Sequence, residues 1–228
     1  MGKNGEGRPA ILLAGGQPVN EGASRAVIRS AFDICPNPRV AYIGAANGDR
    51  AGFFDMIRPV FTEAGAGAID FVRLADAGAD SGKAKAALSR ADIIFLSGGE
   101  VEDGINIINR HGLAGLLKDL FLDGRQFIGV SAGTIMLGAY WVRWETPGDG
   151  DTAGLFECLN IIPHTFDTHA EDEDWIELKT ALRLMGDGAR GYGLPRGGIV
   201  SARGDGELAN LVNEYLLFEY IDGNFHIQ

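Results

Sequence analysis

Short apolar runs alternate with amphipathic segments from the N-terminal part of the chain as far as Val130. Each apolar run is followed by glycine or a small polar residue, and the strands that these runs predict are Ala10–Ala14, Arg39–Gly44, Ala68–Leu74, Asp92–Leu96 and Gln126–Val130. The segments between them carry apolar residues at helical spacing, and the predicted helices are Glu21–Ile34, Ala51–Ala64, Lys83–Arg90 and Val101–Leu122. Strands that alternate with helices indicate an α/β fold with a mostly parallel sheet and helices on both faces.

The pattern changes after Gly138, where the regular alternation ends. The segments predicted there are a strand at Tyr140–Trp144, a loop rich in Gly and Asp at Thr146–Gly154, a helix with an acidic start at Asp172–Met185, and a hairpin of Glu214–Ile221 and Phe225–Gln228. No internal repeat or linker interrupts the sequence. We therefore expect a Gly-rich, charged tail over residues 1–8 and a single α/β domain over residues 9–228.

The balance of charged residues limits the classes of partner. Lys and Arg total 20 and Asp and Glu total 31, which gives a formal net charge of −11 at pH 7. A nucleic-acid surface would need a basic stripe to neutralise phosphates, so no nucleic-acid partner is expected. The N-terminus lacks the apolar segment of a signal peptide, and no run of about 18 apolar residues occurs. The sequence thus predicts a soluble, cytoplasmic protein without a membrane partner.

Neither a metal nor an organic cofactor is expected. Cys35 and Cys158 are too far apart for a metal-binding pair and too few for a disulfide framework, so both are interpreted as small apolar residues. The pair Gly15-Gly16 ends the first predicted strand, but no full G-x-G-x-x-G sequence follows it. A dinucleotide site is therefore not predicted.

The strongest local signal is Gly129-Val130-Ser131-Ala132-Gly133, which connects the fifth predicted strand to an apolar helical segment. Small neighbours permit the sharp strand-to-helix turn that lifts a serine hydroxyl above the edge of a sheet. The amide of Ala132 and the dipole of the following helix would then face a developing oxyanion. An ordinary Gly-rich turn is the alternative, but the flanking strand and helix favour Ser131 as the nucleophile of a hydrolase.

A serine nucleophile needs a base, and the chain contains four histidines. His226 lies in the predicted C-terminal hairpin and His111 lies at a predicted helix break, so both are expected at the surface. His164 and His169 lie in one short segment directly after an apolar run. Loops at strand ends are where catalytic side chains gather in an open α/β sheet. The residues alone leave both histidines open as the base.

A second Gly-rich turn, Ser97-Gly98-Gly99-Glu100, follows the fourth predicted strand. Because glycine lets the backbone approach a ligand closely, Gly98 or Gly99 could supply a second oxyanion donor. A plain turn explains the same residues equally well.

Together these motifs resemble the dipeptidase E family of serine peptidases, whose relatives include cyanophycinase. The resemblance covers most of the chain and rests on the Ser97 turn, the Ser131 motif, the pair Pro163-His164 and the later Gly193-Leu194-Pro195. It implies a flavodoxin-like or class I glutamine amidotransferase-like sheet rather than an α/β-hydrolase fold. It also implies hydrolysis of a small peptide through an acyl-enzyme.

The resemblance assigns roles to individual residues. The family's nucleophile falls on Ser131 and, through the Pro-His pair, its histidine falls on His164. Its acid falls on Glu145, with Asp149 and Asp151 as alternatives, and would hold the imidazole in the correct tautomer. The remaining implied site residues are Gly99 and Ala132 as oxyanion donors, and Gly98, Glu100 and His169 at the substrate.

Two features differ from the family pattern. Glu100 stands where the family often has Asn or Asp, and its longer side chain would reach into a small cleft. Members that cleave after an N-terminal aspartate place basic residues after the second histidine, whereas this chain has Glu171-Asp172-Glu173-Asp174. Acidic residues there would repel a substrate carboxylate and attract an amine or guanidinium, although they also suit a solvated helix N-terminus. Aspartyl-dipeptidase specificity is therefore not expected.

Other functions of the same fold remain open. Glutaminase domains of the related fold combine an elbow cysteine with a His-x-Glu pair, and His169-Ala170-Glu171 matches that pair although the elbow residue is Ser. An amidotransferase-like protein, a cyanophycinase-like hydrolase and a non-catalytic binding protein are thus the alternatives. A homo-oligomer is also compatible with the sequence.

Overall fold

The computed structural model describes residues 8–15, 21–146 and 148–228. Its central sheet contains β1 Ala10–Leu13, β2 Arg39–Ile43, β3 Ala68–Val72, β4 Ile93–Leu96, β5 Gln126–Val130, β10 Ile199–Ala202 and β11 Leu208–Val212. The strand order is β11-β10-β1-β5-β4-β2-β3. The strands β1 to β5 are mutually parallel, while β10 and β11 extend the β1 edge in antiparallel pairing.

The mostly parallel sheet places the functional turns together. The strands β1 to β5 match the five predicted strands, each to within two residues at either end. All four residues of β4 are buried, because helices cover both faces of a parallel sheet. Parallel strands end at the same edge, so the turn after β4, which contains Gly98, lies beside the turn after β5, which contains Ser131. The predicted α/β fold is confirmed.

Seven α-helices are present in the described ranges. They are α1 Glu21–Phe32, α2 Ala51–Ala64, α3 Ser81–Arg90, α4 Val101–Arg110, α5 Ala114–Leu122, α6 Ala132–Leu137 and α7 Ile176–Met185. The predicted continuous helix from Val101 to Leu122 is wrong, because Gly112 adopts a left-handed φ of +62° and separates α4 from α5. His111 at this break is partly buried, with Nε2 2.8 Å from the Leu74 carbonyl oxygen.

The later part of the chain adds two smaller sheets. One is the hairpin of β6 Tyr140–Trp144 and β7 Ala153–Glu157, and the other contains β8 Thr165–Thr168, β9 Ala189–Leu194, β12 Leu216–Ile221 and β13 Asn224–Ile227. The order of the second sheet is β13-β12-β9-β8, with β8 and β9 parallel. The predicted C-terminal hairpin is confirmed. The strands β7 to β11 are not predicted by the sequence, because they are short and are interrupted by Gly or polar residues.

The hydrophobic core lies on both faces of the central sheet. Alternate strand residues point to opposite sides, so Leu12 and Ile94 belong to one buried cluster while Tyr42 and Phe95 belong to the other. A third cluster around Trp175 lies under the second sheet. None of the helices in the described part of the chain is long and apolar enough to span a membrane. Residues 1–7 of the predicted tail lie outside the described residues, and the single-domain expectation stays a prediction.

Candidate active site

Ser131 occupies a strained elbow between β5 and α6. Its backbone has φ +52° and ψ −123°, a conformation that L-residues rarely adopt. Gly129 and Gly133 leave room for this turn, because a Cβ atom on Gly129 would lie 2.8 Å from the Gly133 oxygen and one on Gly133 would lie 2.1 Å from the Leu96 oxygen. The small residues of the motif are therefore required by the close approach of two strands and a helix.

Backbone contacts fix the elbow to the first strand. The Ser131 amide donates to the Leu13 carbonyl at 2.9 Å, and the buried Thr134 hydroxyl donates to the same oxygen at 2.9 Å. The amides of Thr134 and Ile135 in turn donate to the Ser131 carbonyl. These bonds hold the serine at the carboxyl edge of the central sheet, where its side chain is partly exposed.

His169 is the histidine that contacts Ser131. Its Nε2 lies 2.9 Å from Ser131 Oγ. It follows β8 directly, has φ +47°, and donates its amide to the Leu194 carbonyl at 2.8 Å. Gly15 packs beside the ring, since a Cβ atom there would lie 3.7 Å from His169 Cδ2. The sequence resemblance placed His169 at the substrate, whereas the structure places it within hydrogen-bond reach of Ser131.

The prediction that His164 is the partner of Ser131 is not supported by the structure. Its Nε2 lies 2.7 Å from the Gly206 carbonyl oxygen, and its ring packs edge-on against Tyr192 with centroids 4.8 Å apart. Five positions along the extended strand β8 separate the two histidines, a span of roughly 16 Å. One of them can therefore reach the elbow while the other lies at the far end of the strand.

The predicted acid Glu145 does not complete a hydrogen-bonded chain either. It follows β6 in an exposed bend. The alternative Asp149 accepts the amide of Asp151 at 3.0 Å and caps its own short turn, and both aspartates are exposed. Within the described ranges, none of these three carboxylates is hydrogen-bonded to a histidine. The predicted chain from Ser131 through His164 to Glu145 is thus absent from this structure.

The Gly-rich turn after β4 lies directly against the elbow. A Cβ atom on Gly98 would lie 3.2 Å from Ser131 Cβ, and the Asn47 side chain donates to the Gly98 carbonyl at 3.2 Å. Gly99 has φ +144°, and a Cβ atom there would lie 2.1 Å from the Ala46 oxygen, so only glycine fits. The turn thus lies where a second oxyanion donor is needed, and donation by Gly99 and Ala132 stays a prediction.

A cleft of about 330 Å³ opens beside the elbow. Its lining residues are Gly99, Glu100, Val101, Ser131, Ala132, Ile135, Trp141, Asp167, Thr168, His169, Ala170, Glu173 and Glu177. This set holds four carboxylates and, among the described residues, neither lysine nor arginine. A larger cleft of about 500 Å³ beside α3 has no serine, cysteine or histidine among its described lining residues.

Asp167 is the most buried carboxylate of the cleft, with 4% of its surface exposed. Its Oδ1 accepts the Thr168 amide at 2.7 Å, whereas Oδ2 is buried without a hydrogen-bond partner of normal geometry among the described residues. The pKa of Asp167 is raised to about 7, chiefly by burial and also by the nearby carboxylates of Glu177 and Glu173, while the amides of Thr168 and Leu178 act in the opposite direction.

Glu177 is held in place by an indole group. Its Oε2 accepts from Trp141 Nε1 at 2.7 Å. Burial raises the pKa of Glu177, as do the charges of Glu173 and Glu100, while the hydrogen bonds from Trp141 and Trp144 lower it. The carboxylates of the cleft therefore repel one another electrostatically.

The His-x-Glu pair of amidotransferases does not form here. Glu171 Oε1 accepts the Arg196 amide at 2.7 Å, so this carboxylate is bound to a neighbouring loop. Glu171 and Asp172 also lie outside the cleft, whereas Glu173 belongs to its lining. The acidic segment that the sequence presents as one unit is thus divided between two surfaces.

The comparisons with known proteins agree with this architecture. The model of Peptidase family S51 matches residues 10–208. The chain belongs to this family. It is accordingly a serine-type peptidase of the dipeptidase E type. No curated protein sequence matches the chain.

Two solved structures are similar over nearly their full lengths. A peptidase from an acI-B1 Actinobacterium has a TM-score of 0.74 and 16% identity, covering 98% of this chain and 94% of that chain. A peptidase E protein from Listeria monocytogenes EGD-e has a TM-score of 0.64 and 15% identity, covering 91% and 99%. At such low identity, these two structures show that the fold is similar and nothing more.

Sequence reasoning missed two residues of the site. Asp167 lies in a short strand of mixed polarity, so its sequence shows neither helical nor strand periodicity. Glu177 lies in a predicted helix, but its hydrogen-bond partner Trp141 is distant in sequence. The one available signal for Asp167 is its spacing, because it lies two residues before His169.

Proposed function

We propose that this member of family S51 hydrolyses a peptide bond in small peptides, with Ser131 as nucleophile and His169 as general base. The observation that carries the proposal is the 2.9 Å contact between Ser131 Oγ and His169 Nε2 at a strained elbow. A serine becomes an effective nucleophile when a base accepts its proton, and this pair has the required geometry.

The reaction would proceed in two stages. Ser131 Oγ attacks the carbonyl carbon while His169 Nε2 takes the hydroxyl proton, and the resulting imidazolium then protonates the leaving amine. Water attacks the acyl-enzyme, again giving its proton to His169, and the acid product leaves with Ser131 restored. The amides of Gly99 and Ala132 would stabilise the oxyanion in both stages.

The first turn of α6 suits this role. The first amides of a helix have no intrahelical acceptor, so the Ala132 amide has none within α6. Gly99 lines the same cleft, in a turn that only glycine can adopt. A carbonyl bound at Ser131 could therefore receive hydrogen bonds from both amides.

Active-site labelling tests the proposal. A fluorophosphonate should modify the wild-type protein at Ser131, as located by mass spectrometry of the digested adduct, and should leave Ser131→Ala unmodified. The same wild-type protein should release amino acids from a panel of unblocked di- and tripeptides. Absence of both labelling and peptide cleavage, alongside a reactive control hydrolase, would contradict the proposal.

A further inference from the structure

We propose that Asn47 is a positioning residue for this reaction, because its side-chain amide fixes the peptide unit between Gly98 and Gly99 and so directs the Gly99 amide at the oxyanion. The inference rests on the proposed peptidase function and deepens it by naming a residue that acts on the reaction through the backbone. Asn47 is buried and lies outside the lining of the cleft.

The side chain of Asn47 has a defined orientation in a buried network behind the turn. Asn47 is 7% exposed and ends a 3₁₀ turn, Ala45–Asn47, that follows β2. Its Oδ1 accepts the Arg50 amide at 3.1 Å. Because a backbone amide can only donate, the side-chain oxygen faces Arg50 and the nitrogen faces the turn after β4. There Nδ2 donates to the Gly98 carbonyl at 3.2 Å and to Ser97 Oγ at 2.8 Å.

The peptide unit between Gly98 and Gly99 can rotate more freely than most. Neither of these residues has a Cβ atom, so both can adopt backbone conformations that are closed to other residues. On either side of this unit, the amides of Ser97 and Glu100 donate to carbonyl oxygens of β2 and of the 3₁₀ turn. Apart from the bond with Asn47, the Gly98 carbonyl has only a 3.4 Å contact from Ser97 Oγ among the described residues. Asn47 is therefore the main restraint on the direction of this peptide unit.

A trans peptide couples the Gly98 carbonyl to the Gly99 amide. In such a planar unit the C=O and N–H bonds point in opposite directions, and no peptide bond in the described ranges is cis. The bond from Asn47 to the Gly98 oxygen therefore turns the Gly99 amide away from Asn47. Within the part of the chain that the structure describes, this amide makes no hydrogen bond to the backbone. Gly99 lines the cleft together with Ser131, so its amide is left for an oxyanion.

Misdirection of the Gly99 amide would affect the transition state more than substrate binding. The oxyanion develops only as Ser131 attacks, so an uncharged substrate gains little from this donor. Removal of one oxyanion donor typically lowers kcat by about 10²–10³-fold. Without Asn47, the Gly99 amide would be present but poorly directed. A purely structural role of Asn47 would instead lower the stability of the fold and leave kcat per active molecule unchanged.

The variants Asn47→Leu and Asn47→Ala test the proposal in the full-length protein. Leucine has nearly the shape of asparagine but no donor, and alanine removes the side chain beyond Cβ. In each variant, kcat for a peptide that the wild type cleaves should fall by roughly 10²-fold, while KM stays within about threefold. Titration with a fluorophosphonate counts the active molecules, so partial unfolding does not lower the measured kcat. Either variant suffices if the other does not fold.

The matched control is Tyr42→Phe, which alters the same buried network but keeps the bond to Gly98. The Tyr42 hydroxyl donates to Ser97 Oγ at 3.0 Å and accepts from Asn47 Nδ2 at 3.3 Å. This variant should lose resistance to chemical denaturation, because it also removes buried hydrogen bonds. Its kcat should nevertheless stay within about threefold of the wild type.

Crystal structures of the wild type and the variants show the direction of the turn without depending on catalysis. The Gly98 carbonyl should keep its direction in the wild type and in Tyr42→Phe. In the Asn47 variants it should rotate or occupy two orientations. These structures therefore separate the positioning role of Asn47 from its contribution to stability.

Three outcomes would overturn the proposal. They are an unchanged peptide unit in the Asn47 variants, a kcat of these variants within about threefold of the wild type, and an equal loss of kcat in Tyr42→Phe. A wild-type protein that is neither labelled nor active would overturn the proposed function instead. In that case the crystal structures would still decide whether Asn47 fixes the direction of the Gly98 carbonyl.

Discussion

Each end of β8 is flanked by a histidine, but the two histidines have different surroundings. At one end, the His164 ring packs against Phe166 and Tyr192 and is hydrogen-bonded to the Gly206 carbonyl. At the other, His169 faces Ser131 in an open cleft. The difference teaches that a Pro-His motif cannot by itself identify a catalytic histidine. What decides is which end of the strand meets the carboxyl edge of the central sheet.

The largest expected difference between the ends is in turnover. His169→Ala should lower kcat/KM by roughly 10³-fold or more, because removal of the base leaves the serine hydroxyl unactivated. Steady-state hydrolysis of a peptide that the wild type cleaves provides the measurement. Circular dichroism should show an unchanged fold. Activity that survives in His169→Ala but disappears in His164→Ala would show that His164, and not His169, is the base.

A second difference concerns the pH dependence of stability at the His169 end. Asp167 has its pKa raised to about 7 in the folded protein, against about 4 in an unfolded chain. The folded state keeps a proton that the unfolded state loses, so stability should fall as pH rises from about 4 to about 7, by up to roughly 3–4 kcal/mol.

Urea unfolding of wild type and Asp167→Asn at about pH 5 and about pH 8 measures this effect. Because the amide does not ionise, the variant should gain stability relative to the wild type at the higher pH. Parallel pH dependences of the two proteins would show that Asp167 ionises as an ordinary exposed carboxylate, despite the acidic groups of Glu177 and Glu173 that face it.

At the His164 end of β8, the expected effect is on stability rather than on catalysis. His164→Ala should lower the free energy of unfolding by about 1–3 kcal/mol, since it leaves the Gly206 carbonyl unpaired and removes the contact with Tyr192. Activity per folded molecule should stay within about threefold of the wild type. Chemical denaturation and active-site titration separate the two quantities. A stable His164→Ala protein with strongly reduced turnover would contradict this assignment.

The smallest effect is expected at Glu145, which lies at neither end of the strand. Glu145→Gln should change kcat/KM by no more than about twofold, because an exposed carboxylate is screened by solvent. The rate is measured with the same peptide as for His169→Ala. A loss of orders of magnitude would restore Glu145 as the family's acid and would require a rearrangement of the loop after β6.

The sequence predicts most of the central sheet, because its strands are buried on both faces and read as apolar runs between helices. It predicts the elbow for a similar reason, since the geometry of a strand-to-helix turn depends on small residues adjacent to Ser131. The second sheet is harder to predict from the sequence. Its strand β8 is four residues long and contains Asp167, so neither length nor alternation distinguishes it from a loop.

The sequence by itself thus determined the α/β fold and the tight turn at Ser131, the proposed nucleophile, because these depend on contacts between neighbouring residues. The tertiary structure decided that His169 rather than His164 reaches that serine, because the answer depends on how β8 packs against α6 beside the elbow. It also decided which acids share a cleft, bringing Glu177 to Asp167 while leaving Glu171 outside. Such choices depend on the relative placement of separate elements, which local sequence patterns do not encode.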